Sequence, residues 1–125
     1  EAYKKLKYPE QKNIFDKAEA FLKNVGLNIK AQELFMFVAK IPKGKIATYQ
    51  ILAKILGMPK RARWIGFVLN KNTDPVIPCH RVVMANGLIG GYNKGVKKKI
   101  ALLKGEGVEI KSGRIDLKKY NWKNN

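Results

Sequence analysis

A mainly α-helical fold with a small β element is what this 125-residue sequence predicts, and three observations carry it. Apolar residues recur at helical spacing along most of the chain. Proline and glycine punctuate those periodic stretches at "IPKG" and "GMP". Short β-branched runs occur only around residues 81–92 and 108–117, each beside an Asn-Gly or Ser-Gly pair. A chain of this size forms one domain and buries about two-thirds of the surface that it exposes when unfolded.

The elements follow in order. "YPEQKNIFDKAEAFLKNVG" reads as an amphipathic helix opened by Pro9, with Ile14, Ala18, Phe21, Leu22 and Val25 on one face and Gly26 as its stop. "KAQELFMFVAKI" is a second helix burying Leu34, Phe35, Val38 and Ile41, and Pro42 and Gly44 end it. In "GKIATYQILAKILGMPKRARWIGFVLN", Thr48 caps a helix that Gly57 ends, and Pro59 opens another that runs to about Asn70. Two such helices about a glycine turn read as a helix-turn-helix or as a plain αα-corner. The basic cluster Lys60, Arg61 and Arg63 favours the former, because a recognition helix meets DNA with its N-terminal residues. "RVVMANGLIGGY" is a strand, an Asn86-Gly87 turn and a glycine-rich return. "GVKKKIALLKG" is a helix with Val96, Ile100 and Leu103 on one face and Lys97, Lys98 and Lys99 on a solvated one. A hairpin about Ser112-Gly113 follows, and the polar tail "KKYNWKNN" is expected to fray.

Charge narrows the partner. Lys and Arg number 26 against 9 Asp and Glu, a formal +17, which exceeds what solubility asks of a small domain and points to a polyanion. Lysine-rich surfaces also occur in heat-adapted proteins. Membrane-surface binding fits less well, since the basic residues are spread along the chain instead of gathered on one amphipathic segment. No apolar run approaches the roughly 20 residues that a membrane helix needs. One cysteine makes no internal disulfide, so an intracellular, reducing setting is expected.

That cysteine stands beside the chain's one histidine in "NTDPVIPCHRVV". A structural metal site wants four Cys/His ligands, which two adjacent residues do not supply, and no phosphate-binding glycine motif is present. No metal or cofactor is expected. A lone cysteine is usually a small buried hydrophobe. Here Pro75 and Pro78 stiffen the approach, and His80 and Arg81 flank a thiol whose free pKa is about 8.5. Adjacent residues in extended chain point to opposite faces, so a water relay between Cys79 and His80 is more plausible than direct contact.

"IPCHRVV" at 77–83, preceded by "RARWIGFVLNKN" and followed by "GLIGGYNKGVKKKIALLKGEG", resembles the active-site domain of the O6-alkylguanine-DNA alkyltransferases over residues 31 to about 110. The resemblance implies a winged helix-turn-helix-like domain over 31–110. Around it stand a helical extension over 1–30, with no full N-terminal α/β domain, and a hairpin remnant and tail over 111–125. It implies a protein that acts once, as a monomer, on double-stranded DNA carrying O6-alkylguanine: Cys79 takes the alkyl group and keeps it. His80 would deprotonate the thiol through water, Glu106 would orient His80, and Tyr49 would protonate the departing base. Arg63 would fill the gap left by the flipped nucleotide, and Asn72 would brace the cysteine loop with support from Arg81, an ion-pair partner. Thr48, Gln50, Arg61, Ala62, Trp64 and Gly66 would face DNA, lying in the minor groove. Gly90, Tyr92 and Asn93 would cover the base, while the carbonyls of Cys79 and Val82 accept from its amino group.

Some positions depart from the family pattern. Trp64 stands where a small residue is usual, with groove fit, stacking or burial as its possible uses. The loop from Asn72 to Cys79 is about one residue short and carries Asp74, Asn93 replaces a frequent serine, and Lys94 follows where glycine is common. Competing readings are an alkyltransferase-like binder that flags damaged guanine without repairing it, a major-groove transcription factor and a cysteine hydrolase. The last two leave the Cys-His pair or the missing oxyanion arrangement unexplained.

Overall fold

The computed structural model describes residues 25–72 and 74–123; the helix expected from Pro9 lies almost wholly outside them. Helix α1 spans Val25–Ala39, so Gly26 lies within it, and the helix expected from Lys30 already includes residues 25–29. A helical glycine costs only about 1 kcal/mol. Burial of Ala31, Leu34, Phe35 and Val38, spaced i, i+3, i+4 and i+7, outweighs that. Lys30 of α1 donates to the Leu56 carbonyl at 2.8 Å, closing the end of the next helix.

Strand β1 (Ala47–Thr48) leads directly into α2 (Tyr49–Ile55). The Thr48 hydroxyl accepts from Ile51 N at 3.1 Å, which is the expected cap. At the far end Gly57, with φ of 76°, donates to Lys54 O and Met58 N donates to Ala53 O, a Schellman stop that needs a left-handed residue. Pro59 does not open the next helix. It sits in the turn closed by Arg61 N donating to Met58 O at 2.9 Å, a position that suits its fixed φ, and α3 runs Ala62–Asn70. Helices α2 and α3 pack on each other, and α1 packs on α3.

After α3 the chain reaches a single 3₁₀ turn, Cys79–Arg81, then strand β2 (Val82–Val83), which pairs in parallel with β1 in the register Ala47 to Val82 and Thr48 to Val83. A parallel pair needs a long crossover, and here α2, α3 and the cysteine loop form it. Alternation along these short strands divides the interior. Ala47 and Val82 face a core shared with α1, α2 and α3, whereas Ile46 and Val83 face a second core with Ile89, Leu103, Val108, Ile115 and Tyr120.

Beyond β2 the Asn86-Gly87 turn forms, but the glycine-rich return is not a partner strand. Met84 N donates to Leu88 O, and Leu88 then bridges Arg114 of the short 111–114 hairpin. Positive φ at Gly90 and Gly95 breaks any longer ladder and carries residues 89–95 toward the cysteine. Helix α4 (Val96–Gly105) turns Leu103 and Ile100 toward the second core as expected, but Lys99 is fully buried as well and Val96 is exposed. The tail does not fray through Trp122. Asp116 caps α5 (Leu117–Tyr120), Tyr120 is buried, and Ile46 N and O bond to Tyr120 O and Trp122 N.

Leu34 is wholly buried and Met36, two residues on, is half exposed. Leu34→Ala is expected to cost about 2–5 kcal/mol, and Met36→Ala within about 0.5 kcal/mol, in urea unfolding followed by circular dichroism.

Candidate active site

The "CHR" segment is held by its charges. Arg81 Nε donates to Glu106 Oε1 at 2.9 Å and its Nη2 to Oε2 at 2.8 Å, a two-pronged grip, while Nη1 donates to Ile41 O beyond the end of α1 at 2.7 Å. His80 Nε2 lies 2.8 Å from Glu106 Oε2. Burial works to raise the Glu106 carboxyl pKa, but the hydrogen bonds from Arg81 and then His80 outweigh it and hold the group below its ordinary range. For His80, burial is the largest influence and lowers its pKa against the pull of Glu106, so the ring is neutral at pH 7. A neutral imidazole facing a carboxylate carries its proton on that side. Nε2–H therefore donates to Glu106, which leaves Nδ1 as a free base.

The 3₁₀ turn points Cys79 into the floor of an open cleft of about 690 Å³. Its walls come from α2 (Tyr49, Gln50), α3 (Ala62, Arg63, Gly66), the 84–86 turn and the 90–93 segment. Asn72 bridges the loop: Nδ2 donates to Cys79 Sγ at 3.0 Å and to Asp74 O at 3.1 Å, and Oδ1 accepts from Asp74 N at 3.0 Å. Burial pushes the Cys79 thiol up to about 12, against the opposing pull of the Asn72 hydrogen bond and of Lys99 and Lys94, while Asp74 adds to the rise. The thiol is thus neutral at rest.

Tyr49 and Tyr92 flank it. Burial, and then the sulfur, raise both phenol pKa values, so each keeps its proton through the neutral range. Gly66 and Gly90 both border the Tyr49 ring, and a side chain would crowd it only at Gly90. A Cβ at Gly66 would touch it at 3.7 Å, and one at Gly90, where φ is 76°, would press the ring at 3.3 Å and Met84 at 3.2 Å. Asn93 donates to the carbonyls of Asn70 and Asn72, tying the 90–93 segment over the cleft to the end of α3.

Several of the expected site residues do not line the cleft. Trp64 packs half-buried against the core shared by the helices and does not line the cleft, since its place on α3 is turned toward the interior. Thr48 is buried, with its hydroxyl committed to the cap, and Arg61 is exposed before α3 but outside the cleft. The Val82 side chain is core, and its carbonyl already accepts from Lys99 Nζ at 2.7 Å. Lys99 itself corrects the solvated-face expectation. Fully buried, it also donates to Gly91 O at 3.0 Å and stands 5.7 Å from the centre of the Tyr49 ring. Burial lowers its pKa to about 8, with the Cys79 thiolate opposing, so it remains mostly charged at pH 7. The one hint in the sequence is phase, for Lys99 lies in register with Leu103 one turn on, but a Lys-Lys-Lys run conceals which of the three turns inward.

Iodoacetamide reads the thiol directly. Because Cys79 stays protonated until about pH 12, its alkylation rate should climb about tenfold per pH unit from 7 to 10. Asn72→Ala removes a donor that favours thiolate and should slow it across that range, whereas Lys99→Met should slow it most near pH 7 and lose its effect as pH rises past about 8, where Lys99 gives up its charge.

The chain matches the family model described as "6-O-methylguanine DNA methyltransferase, DNA binding domain" over residues 30–108. It is 45% identical over 92 residues to a bifunctional methyltransferase/endonuclease of Picrophilus torridus, covering 73% of this chain and 31% of that protein. It is 53% identical over 78 residues to a methylated-DNA--protein-cysteine methyltransferase of Saccharolobus solfataricus, covering 62% of this chain and 50% of that one. The chain thus spans a third to a half of the curated relatives that it matches. Among solved structures, S. pombe Atl1 in complex with damaged DNA containing O6-carboxymethylguanine superposes with a TM-score of 0.69 at 30% identity, over 78% of this chain and 97% of Atl1. The O6-methylguanine-DNA methyltransferase of Pyrococcus kodakaraensis gives 0.56 at 36% identity, over 62% and 46%. With more than half of its length inside that family model, with Cys79 on the cleft floor and the adjacent His80 bonded to Glu106, the chain belongs to the 6-O-methylguanine DNA methyltransferase family.

Proposed function

We propose that this protein repairs duplex DNA by moving the alkyl group of an O6-alkylguanine irreversibly onto Cys79, in one turnover and without cofactor. The observation that carries the reading is Cys79 itself, on the cleft floor under an Asn72 donor and beside a neutral His80 that is bonded to Glu106. An alkyl carbon inside stacked DNA is out of reach, so the nucleotide must be rotated out, at a cost of a few kcal/mol. Arg63, exposed on α3 at the cleft mouth, would fill the vacancy, with Gln50, Ala62 and Gly66 along the groove. A high net positive charge supports the phosphate contacts.

The chemistry follows from the protonation states. His80 Nδ1 takes the thiol proton through a bridging water, and Glu106 stabilises the resulting imidazolium. The sulfur attacks the alkyl carbon, the S–C bond forms, and the C–O6 bond breaks. Tyr49, protonated because it is buried, donates to the departing purine, which is otherwise a poor leaving group. The charge of Lys99 steadies the transient thiolate. The thiol proton is thereby exchanged for one on guanine, and no other reagent is consumed.

A second reading, recognition of the lesion without transfer, is favoured by the superposition on Atl1 over nearly its whole chain and by the high pKa of the resting thiol. Mass spectrometry on an equimolar mixture with an O6-methylguanine duplex separates the two. Transfer predicts one methyl on the Cys79 peptide and an unmodified guanine in DNA, both lost in Cys79→Ser; binding with no mass change would leave the second reading. Tyr49→Phe should slow the single-turnover rate by about 10²–10⁴-fold. The methylated product should also melt lower, since a methyl on so closely packed a sulfur strains its surroundings by about 1–3 kcal/mol.

A further inference from the structure

We infer that Asn93 is a positioning residue: from the segment across the cleft its side-chain amide fixes Asn72, and through Asn72 the thiol. Its consequence for repair rests on the alkyl-transfer reading, whereas its hold on the sulfur does not. Residues 90–95 form a strap with a left-handed glycine at each end, φ being 76° at Gly90 and 97° at Gly95. Glycines restrain a chain weakly, so the place of the strap depends on what grips it in between. At Gly91 the carbonyl accepts from Lys99 Nζ at 3.0 Å and from the Tyr49 hydroxyl at 3.5 Å. Two residues on, Asn93 supplies the other anchor, with Nδ2 donating to Asn70 O at 3.3 Å and to Asn72 O. Tyr92 lies between the anchors, its ring edge-on to His80 with centres 6.5 Å apart.

The second anchor falls where α3 needs a donor. The last carbonyls of a helix have no partner within it. Lys71 N and Asn72 N take those of Val68 and Leu69, and the Asn93 amide takes that of Asn70 and then that of Asn72 just beyond. A carboxamide brings two hydrogens, one for each carbonyl. Asn72 is thereby held at each of its polar groups. Its N bonds Leu69 O, its Oδ1 accepts from Asp74 N, its Nδ2 serves both Asp74 O and Cys79 Sγ, and its O is held by Asn93. The first partners belong to α3 or to the cysteine loop and move with Asn72. Asn93 comes from the facing wall, 21 residues away, so this contact sets where the loop stands in the cleft. With its donor committed to the two carbonyls, Asn93 acts on the sulfur through Asn72.

A double-mutant cycle read on the iodoacetamide pH profile tests this. Asn93→Ala should slow alkylation of Cys79 about threefold, displacing the profile by about half a pH unit, as befits the loss of one partly exposed anchor. In the Asn72→Ala background the same substitution should change nothing, because no Asn72 amide is left to position. Looser packing or wider access to the cleft would act alike in both backgrounds. A rate unchanged or raised by Asn93→Ala, or slowed equally with and without the Asn72 amide, overturns the proposal. Single-turnover transfer from an O6-methylguanine duplex, measured at saturation, should fall by the same factor while affinity stays within about twofold of wild type. A saturating rate that does not fall overturns it as well. If the wild-type protein leaves the methyl group on DNA, the alkyl-transfer reading fails instead, and the iodoacetamide cycle still decides the role of Asn93.

Discussion

Glu106 is the hinge on which this architecture turns. One carboxylate at the end of α4 receives both prongs of Arg81 and the Nε2–H of His80, and Arg81 reaches on to the carbonyl of Ile41 past the end of α1. Three segments distant in sequence are thereby fixed to one point, and the turn between them can hold Cys79 only at the cleft floor. Buried charges of this kind are costly to desolvate, and replacing such a pair by apolar residues is often no loss of stability. What the clamp supplies is position and tautomer: with Nε2 committed to Glu106, the imidazole offers its other nitrogen as a base.

Around that clamp the site keeps its ionisable groups in their uncharged or paired forms. Burial raises the thiol and the two phenols and lowers His80, while Asn72 and Lys99 pull the thiol partway back. A cysteine held neutral at rest resists adventitious alkylation, an advantage under the proposed single-use transfer. The groups that would generate thiolate are already within hydrogen-bonding range of the loop, so little rearrangement separates rest from reaction. Lys99 is central to this balance. It satisfies Val82 O and Gly91 O, thereby joining β2 to the segment over the cleft, and places a positive charge near both Tyr49 and the sulfur.

The helix-turn-helix was legible because its signals are local: a capping threonine, a glycine in a left-handed C-terminal turn and an apolar stripe. The errors share one cause. Gly26 and Pro59 are residues whose meaning depends on neighbours. Gly26 belongs to the helix that Leu34 and Val38 anchor in the core, and a β-turn absorbs Pro59. The tail looked polar because six of its eight residues are Lys or Asn, yet pairing with Ile46 orders it through Trp122. Lys99 was misplaced, and the use of Trp64 left open, for the same reason. Which face of α3 or α4 turns inward is set by the partner across the core, and a bulky aromatic or a lysine run fits either side.

Sequence alone determined the class of fold, the helix-turn-helix, the family resemblance and the pairing of one thiol with one imidazole in a proline-stiffened loop, since each is written in adjacent residues and short-range torsional preferences. The resemblance already implied that Glu106 orients His80, but only the tertiary structure decided which charges are buried, that Arg81 shares the Glu106 carboxylate with His80, that Asn72 touches the thiol itself, and that Lys99 lies inside while Trp64 turns from the cleft. The physical reason is that desolvation and hydrogen-bond geometry depend on groups brought together across 26 residues or more, as His80 and Glu106 are, and no local pattern encodes such a distance.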